Sequence, residues 1–185
     1  MPPIHLGATP HAADDAANSG TLDGLTFRTP VLADGTRMWE IARDSQVLDL
    51  NSSYAYVLWC RDFSATSVVA LDGQRVVGFV SGYRRPADPQ VVFVWQVAVD
   101  ADQRGRGVAG RMLDGLLDRL EPHGVQRLET TISPDNSASK AMFTALARRR
   151  GTDITRQDLF APSLFPGSHE AEELYTVGHN HGGRQ

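Results

Sequence analysis

The stretch Trp95-Gln96-Val97-Ala98-Val99-Asp100-Ala101-Asp102-Gln103-Arg104-Gly105-Arg106-Gly107-Val108-Ala109 changes its period part-way along. It starts as the end of an apolar run, 91–99, as expected of a strand covered on both faces. It ends where Val108, Met112, Leu113, Leu116, Leu117 and Leu120 recur as one wide helical stripe. Between them, Gly105 and Gly107 permit a tight turn and close approach of backbone to a ligand. The first turn of the helix offers N–H groups without helical partners and a positive dipole end, so the turn suits a pyrophosphate-like anion. Arg104 and Arg106 add charge. An ordinary strand-to-helix connection has the same parts, so the turn gains meaning only from its surroundings. Two alternatives fail on spacing. There is no Gly-Lys-Ser/Thr, which removes a P-loop, and no G-x-G-x-x-G, which argues against a dinucleotide fold.

Upstream, the spacing predicts a short extended start at 26–28 and a helix opened by Asp34 as N-cap, with Met38, Ile41, Ala42 and Ser45 on one face. A polar loop over 47–53 leads to a second helix, 54–62. Strands follow at 67–71 and 75–83, joined by an Asp72-Gly73 turn, and Pro86 and Pro89 break the chain before the strand 91–99. Downstream, Pro122 and Gly124 stop the striped helix. A strand at 127–133 precedes a helix at 136–149, with Ala138, Ala141, Met142, Ala145 and Leu146 expected inward. Arg148, Arg149 and Arg150 complement the dipole at its end, and Gly151 terminates it. Weaker strands are expected at 153–160 and 173–177. The order implies an α/β (α+β) fold with a central sheet and helices packed on its faces.

The 185 residues suffice for one domain with a sizeable core. That domain is expected over 23–178, after a disordered leader, 1–22, and before a flexible tail, 179–185. In the tail, His179 and His181 read as solvated residues and not as a metal site. Lysine and arginine number 18 against 22 acidic residues, a net charge of −4, which argues against a nucleic-acid surface. A single cysteine, Cys60, excludes an internal disulfide and reads as a buried apolar thiol. No signal peptide is evident, and 91–99 is too short to span a bilayer, so a soluble cytoplasmic protein is the expectation.

Arg104-x-x-Gly107-x-Ala109 after an apolar strand resembles the acetyl-CoA-binding motif of the GNAT acetyltransferases. The strand–helix–strand–helix order over 91–146, and Asn136 opening the last helix with Ser139 after it, resemble the same family. The resemblance covers about 26–177. It implies a mixed, mostly antiparallel sheet with helices on both faces, and acetyl-CoA as cosubstrate with no metal. It also implies backbone amides across Arg104, Gly105, Arg106, Gly107, Val108 and Ala109 on the pyrophosphate, and Val97 and Val99 pairing with pantetheine. The Val97 amide would face the thioester oxygen, with Asn136 and Ser139 on the pantetheine and phosphate side. Many members carry a tyrosine in the last helix as general acid. The corresponding position here is Phe143, so that role falls to Tyr54, Tyr56 or a water, or else the thiolate leaves unprotonated.

Four separated segments narrow the resemblance. Leu48-Asp49-Leu50-Asn51-Ser52-Ser53-Tyr54-Ala55-Tyr56 with Leu58-Trp59-Cys60-Arg61-Asp62-Phe63 is the first, and Phe93-Val94-Trp95-Gln96-Val97-Ala98-Val99 the second. Thr131-Ile132-Ser133-Pro134-Asp135-Asn136 is the third, and Leu164-Phe165-Pro166 with His169-Glu170-Ala171-Glu172-Glu173-Leu174-Tyr175 the fourth. Together they resemble the L-2,4-diaminobutyrate acetyltransferases of ectoine biosynthesis. This implies a small diamine substrate held by Asp49, Trp95, His169 and Glu172, direct amine attack on the thioester, and a homodimer. Read without the resemblance, Asp49 is turn chemistry, Trp95 core, and His169 and Glu172 a solvated face. The base stays open among Glu129, Glu172 and Asp49; Glu129 alternates with Leu128 and Thr130 and is expected to face away from the core. Another small amine, a peptide, or a non-catalytic CoA-binding module are the alternatives.

Overall fold

The computed structural model describes residues 24–48, 50–166 and 170–179. The expected leader 1–22 and tail residues 180–185 lie outside the described residues, as do Asp49 and His169. The elements are β1 (Leu25–Arg28), α1 (Gly35–Ser45), α2 (Ser53–Asp62), β2 (Val68–Asp72), β3 (Arg75–Arg85), β4 (Asp88–Val99), α3 (Val108–Leu120), β5 (Arg127–Ile132), α4 (Ser137–Arg150), β6 (Ile154–Phe160) and β7 (Glu172–Val177). The sheet order is β1-β2-β3-β4-β5-β7-β6. Every neighbouring pair is antiparallel except β4 and β5, which run parallel across the α3 crossover. This is the expected α/β architecture, a mixed, mostly antiparallel sheet.

The alternation of side chains along β2 distributes the core. Val68 and Ala70 join Val80, Val92 and Val94 beneath Met112, Leu113, Leu116, Phe143 and Leu146 of α3 and α4. Val69 and Leu71 point the other way, with Phe79 and Ala98, onto Met38, Ile41, Tyr56 and Cys60 of α1 and α2. Each face of the sheet therefore has its own helix pair and its own apolar layer. A fully buried leucine such as Leu116 contributes about 2 kcal/mol of apolar burial.

Three expectations shift on contact with the structure. The Asp34 carboxylate does not cap α1 itself. It accepts from the Val31 N–H at 2.7 Å and pairs with Arg28 at 2.6 Å, securing the 3-10 turn that precedes the helix. Pro89 does not break the chain. It sits at the start of β4, next to Asp88, which pairs in register with Arg85. The core face of α4 is Phe143, Leu146 and Ala147. Ala138 and Ala141 are exposed, and the Ala138–Met142–Ala145 stripe faces a cleft.

Candidate active site

β4 and β5 pair only where Val91, Val92 and Phe93 meet Arg127, Leu128 and Glu129. Beyond that point β4 continues to Val99 against β3, while β5 continues to Ile132 against β7. The sheet therefore opens between them. The Asp100 N–H donates to the Val77 carbonyl at 2.8 Å, which makes Gly78–Val99 a non-hydrogen-bonded pair. By the alternation of an antiparallel ladder, Val80–Val97 is the next such pair. The N–H and C=O groups of Val97 and Val99 thus point away from β3, into the opening. An unpaired strand edge of this kind can accept an extended ligand as an added strand.

A cleft of about 1430 Å³ continues from this opening. Its wall includes Val97, Val99, Arg104, Gly105, Arg106, Gly107, Val108, Ala109, Asn136 and Ser139, all ten residues expected at a CoA site. Gly105 and Gly107 both take left-handed φ, +76° and +75°, and Gly107 is the residue before α3. With no side chain in the way, the first-turn amides of α3 face the cleft. The Arg104 Nε donates to the Val99 carbonyl at 3.3 Å, and Arg106 donates to the Gln103 side chain. Across the cleft, the Asn136 side-chain Oδ1 accepts the Ser139 N–H at 3.0 Å, so Asn136 caps α4 while lining the site. These features fit a pyrophosphate with an extended arm. Among the described residues no group of three or more His, Cys, Asp or Glu is placed to hold a metal.

The opposite face of the sheet carries an aromatic patch. Ser81 pairs with Gln96 and Gly82 with Val94, leaving Trp95 as the extra residue of a β-bulge. The bulge turns Trp95 and Gln96 to the same side. Trp95 stacks on Trp59 with ring centroids 4.4 Å apart and lies 6.4 Å from Tyr56. Tyr83, Phe63 and Phe93 extend the patch. Tyr56 is fully buried, and burial pushes its phenol above the usual range against the opposing pull of Gln96 and Asn51. Tyr54, in the first turn of α2, is 68% exposed and does not line the cleft.

Glu129 lies on this same face, opposite Phe93, where β4 and β5 part. It faces away from the main core, as expected, yet it is only 9% exposed. The Arg85 guanidinium donates to its Oε2 at 2.9 Å. Glu172 opens β7 and shares a face with Leu174 and Thr176, the side on which Glu129 lies. Leu48, next to Asp49 in the chain, lines the cleft, and the Trp39 Nε1–H donates to the Asn51 carbonyl at 3.1 Å, tying Asn51 to α1. Phe143 is a core residue and does not line the cleft; its neighbour Met142 does. Cys60 is buried beside the Met38 sulfur at 3.5 Å, and burial pushes its thiol up to about 11, which argues against a nucleophile. The contacts of Trp59, Tyr83, Phe93 and Arg85 gave no local signal in the sequence, since each depends on a partner distant along the chain.

A profile described as the acetyltransferase (GNAT) family matches residues 35–147, from the start of α1 to the core of α4. The chain belongs to the GNAT family. The GNAT domain is also similar to proteins of narrower description. An L-2,4-diaminobutyric acid acetyltransferase of Nocardia farcinica (strain IFM 10152) is 59% identical over 151 residues, 82% of this chain and 78% of that protein. One from Streptomyces coelicolor (strain ATCC BAA-471 / A3(2) / M145) is 57% identical over 157 residues, 83% of this chain and 92% of that one. Among solved structures, the diaminobutyrate acetyltransferase of Paenibacillus lautus, in complex with its substrate L-2,4-diaminobutyric acid and coenzyme A, superposes with a TM-score of 0.79. It is 40% identical, covering 83% of this chain and 94% of that one.

Proposed function

We propose that this GNAT enzyme transfers the acetyl group of acetyl-CoA to the N4 amine of L-2,4-diaminobutyrate, giving N4-acetyl-L-2,4-diaminobutyrate and CoA, a step of ectoine (compatible-solute) biosynthesis. The observation that carries the chemistry is the unpaired edge of β4 running directly into the Gly105/Gly107 turn. The choice of amine is supported by the similarity to proteins named for that diamine.

Acetyl-CoA supplies the acyl group as a thioester. In the proposed reaction an N–C bond forms, the C–S bond breaks, the amine loses a proton and the departing thiolate gains one. The inward N–H of Val97 is suited to stabilise the oxyanion, an effect worth about 3 kcal/mol. With an amine pKa near ~10, only on the order of one substrate molecule in a thousand is neutral at pH 7, so a base is needed. Glu129, Glu172 and Asp49 are the proposed candidates. Glu129 and Glu172 gain support from sharing a face with Trp95. Trp95, Asp49, His169 and Glu172 are proposed to bind the diamine. For the proton donor, Tyr56 has better support than Tyr54, because its buried, protonated phenol lies beside the bulge.

The same reading includes a homodimer in the cytoplasm. Its support is the exposed apolar side of the edge region, Leu159, Phe160 and Leu164, and a lone buried thiol suited to a reducing compartment. Light scattering that returned the mass of a single chain at all working concentrations would remove the dimer. The activity itself is tested by thiol release from acetyl-CoA with L-2,4-diaminobutyrate, L-ornithine, L-lysine and a basic peptide in parallel. Release with the first and little with the others is expected. Preferential release with another amine leaves the family intact and defeats the substrate assignment.

A further inference from the structure

The cleft extends past the glycine turn along one face of α3, where Gly110, Arg111, Asp114, Gly115 and Asp118 line it. α4 forms the facing wall with Ala138, Met142, Ala145 and Arg149. If the turn takes the pyrophosphate and the β4 edge the pantetheine arm, this outer stretch receives the adenosine 3′-phosphate end of coenzyme A. The charges there are unevenly neutralised. Asp114 accepts from the Arg149 Nε at 2.9 Å, and Asp118 from Arg150 at 2.8 Å. Arg111 has no carboxylate partner among the described residues. Arg149 is held across α3, its Nη2 lying 3.4 Å from the Gly110 carbonyl, directly beside Arg111 in the chain. A Cβ at position 110 would meet that Nη2 at 3.0 Å, so the absent side chain lets Arg149 lie close without being crowded. Two guanidinium groups, one anchored and one unpaired, thus flank a cleft end whose own acids are already bound.

We propose that Arg111 and Arg149 grip the 3′-phosphate of coenzyme A, so that the enzyme distinguishes CoA thioesters from dephospho-CoA thioesters. Arginine suits this task because its planar fork can meet two phosphate oxygens at once. Arg149 supplies a fixed donor, its geometry set by Asp114 and the Gly110 carbonyl, and Arg111 supplies the uncompensated charge. The proposal rests on the acetyl-CoA reading of the cleft.

The test compares KM for acetyl-CoA and acetyl-dephospho-CoA with L-2,4-diaminobutyrate as acceptor. The native enzyme is expected to favour acetyl-CoA by about tenfold in KM, with similar kcat, on the scale of one charge-assisted hydrogen bond. Arg111→Ala is expected to raise KM for acetyl-CoA alone and close most of that gap, and Arg111→Lys to restore part of it. Gly110→Ala, whose Cβ would crowd the Arg149 guanidinium, is expected to narrow the gap by a smaller amount. Equal KM values in the native enzyme, or a parallel rise for both donors in Arg111→Ala, overturn the proposal. Calorimetric titration with CoA and dephospho-CoA reads the same difference without turnover. A preference for CoA there, with no acetyl transfer to the diamine, supports this inference and contradicts the proposed function.

Discussion

At the scale of single residues, chemistry and packing can be told apart by their surroundings. Cys60 touches Met38 and lies in the apolar layer under α1 and α2, and burial lifts its thiol from 9.0 to about 11. A thiol held protonated in the folded state contributes stability that is complete below the unfolded value and is lost as pH rises through the folded one. Cys60→Ala is therefore expected to keep turnover within about threefold, since no acyl-cysteine is formed, and to lose less stability than the native chain between pH 8 and pH 10.5. Denaturant midpoints at the two pH values, beside thiol-release rates, check both parts; abolished turnover in a folded variant would sink direct attack. Trp95 has the opposite character, because a bulge turns its ring onto Trp59 and beside Tyr56, just past the point where β4 and β5 part. Trp95→Ala is expected to raise KM for the diamine at least about tenfold while KM for acetyl-CoA stays within about twofold, as removal of an aromatic anchor does at binding sites. Equal rises in both KM values would mean that Trp95 supports the strand and not the diamine.

At the scale of elements, the decisive feature is the direction of the β4 backbone. The groups of Val97 point into the opening, whereas those of Ala98, one residue on, bond back to β3 by the same alternation. Proline separates the two situations, because it removes one N–H and nothing else from the ladder pattern. Val97→Pro is expected to fold, with kcat lowered about 100- to 1000-fold, the range for loss of one oxyanion donor. Ala98→Pro is expected to lose a ladder bond and several degrees of melting temperature. Circular dichroism melts and steady-state rates of the pair make the comparison; if Val97→Pro keeps full kcat, its amide is not the oxyanion donor. Parallel pairing that stops at Phe93 and Glu129 is what exposes this edge, and α3 must begin at its end to present amides to the same cleft.

At the scale of the molecule, the order of elements and the glycine turn were legible because they rest on local periodicity. Leu113, Leu116 and Leu120 declare one face of α3 wherever it packs. The face of α4 was less legible. Its alanines look like core, and only the cleft beside them explains why Ala138 is exposed and Ala145 lines a cavity while Phe143 and Leu146 are buried. Phe143 packs in the core beneath the sheet and away from the cleft, a role that its place in the family pattern concealed. The bulge at Trp95 depends on register with β3, and the burial of Glu129 depends on Arg85, 44 positions earlier, so neither is written in a short window of sequence. Arg149, which reads as a dipole complement, reaches across to Asp114 of α3. Long-range pairings of this kind decide which polar residues meet, and they are the part of the site that periodicity does not carry.

In the proposed reaction this open-edged sheet moves an acetyl group from acetyl-CoA to one particular nitrogen. The most direct measurement follows released thiol and product together, with L-2,4-diaminobutyrate as the sole amine and the product assigned by two-dimensional NMR. One thiol per molecule of N4-acetyl-L-2,4-diaminobutyrate, with no N2-acetyl isomer, is expected. Predominant N2 acetylation, or no thiol release from a folded protein that binds CoA, would contradict it.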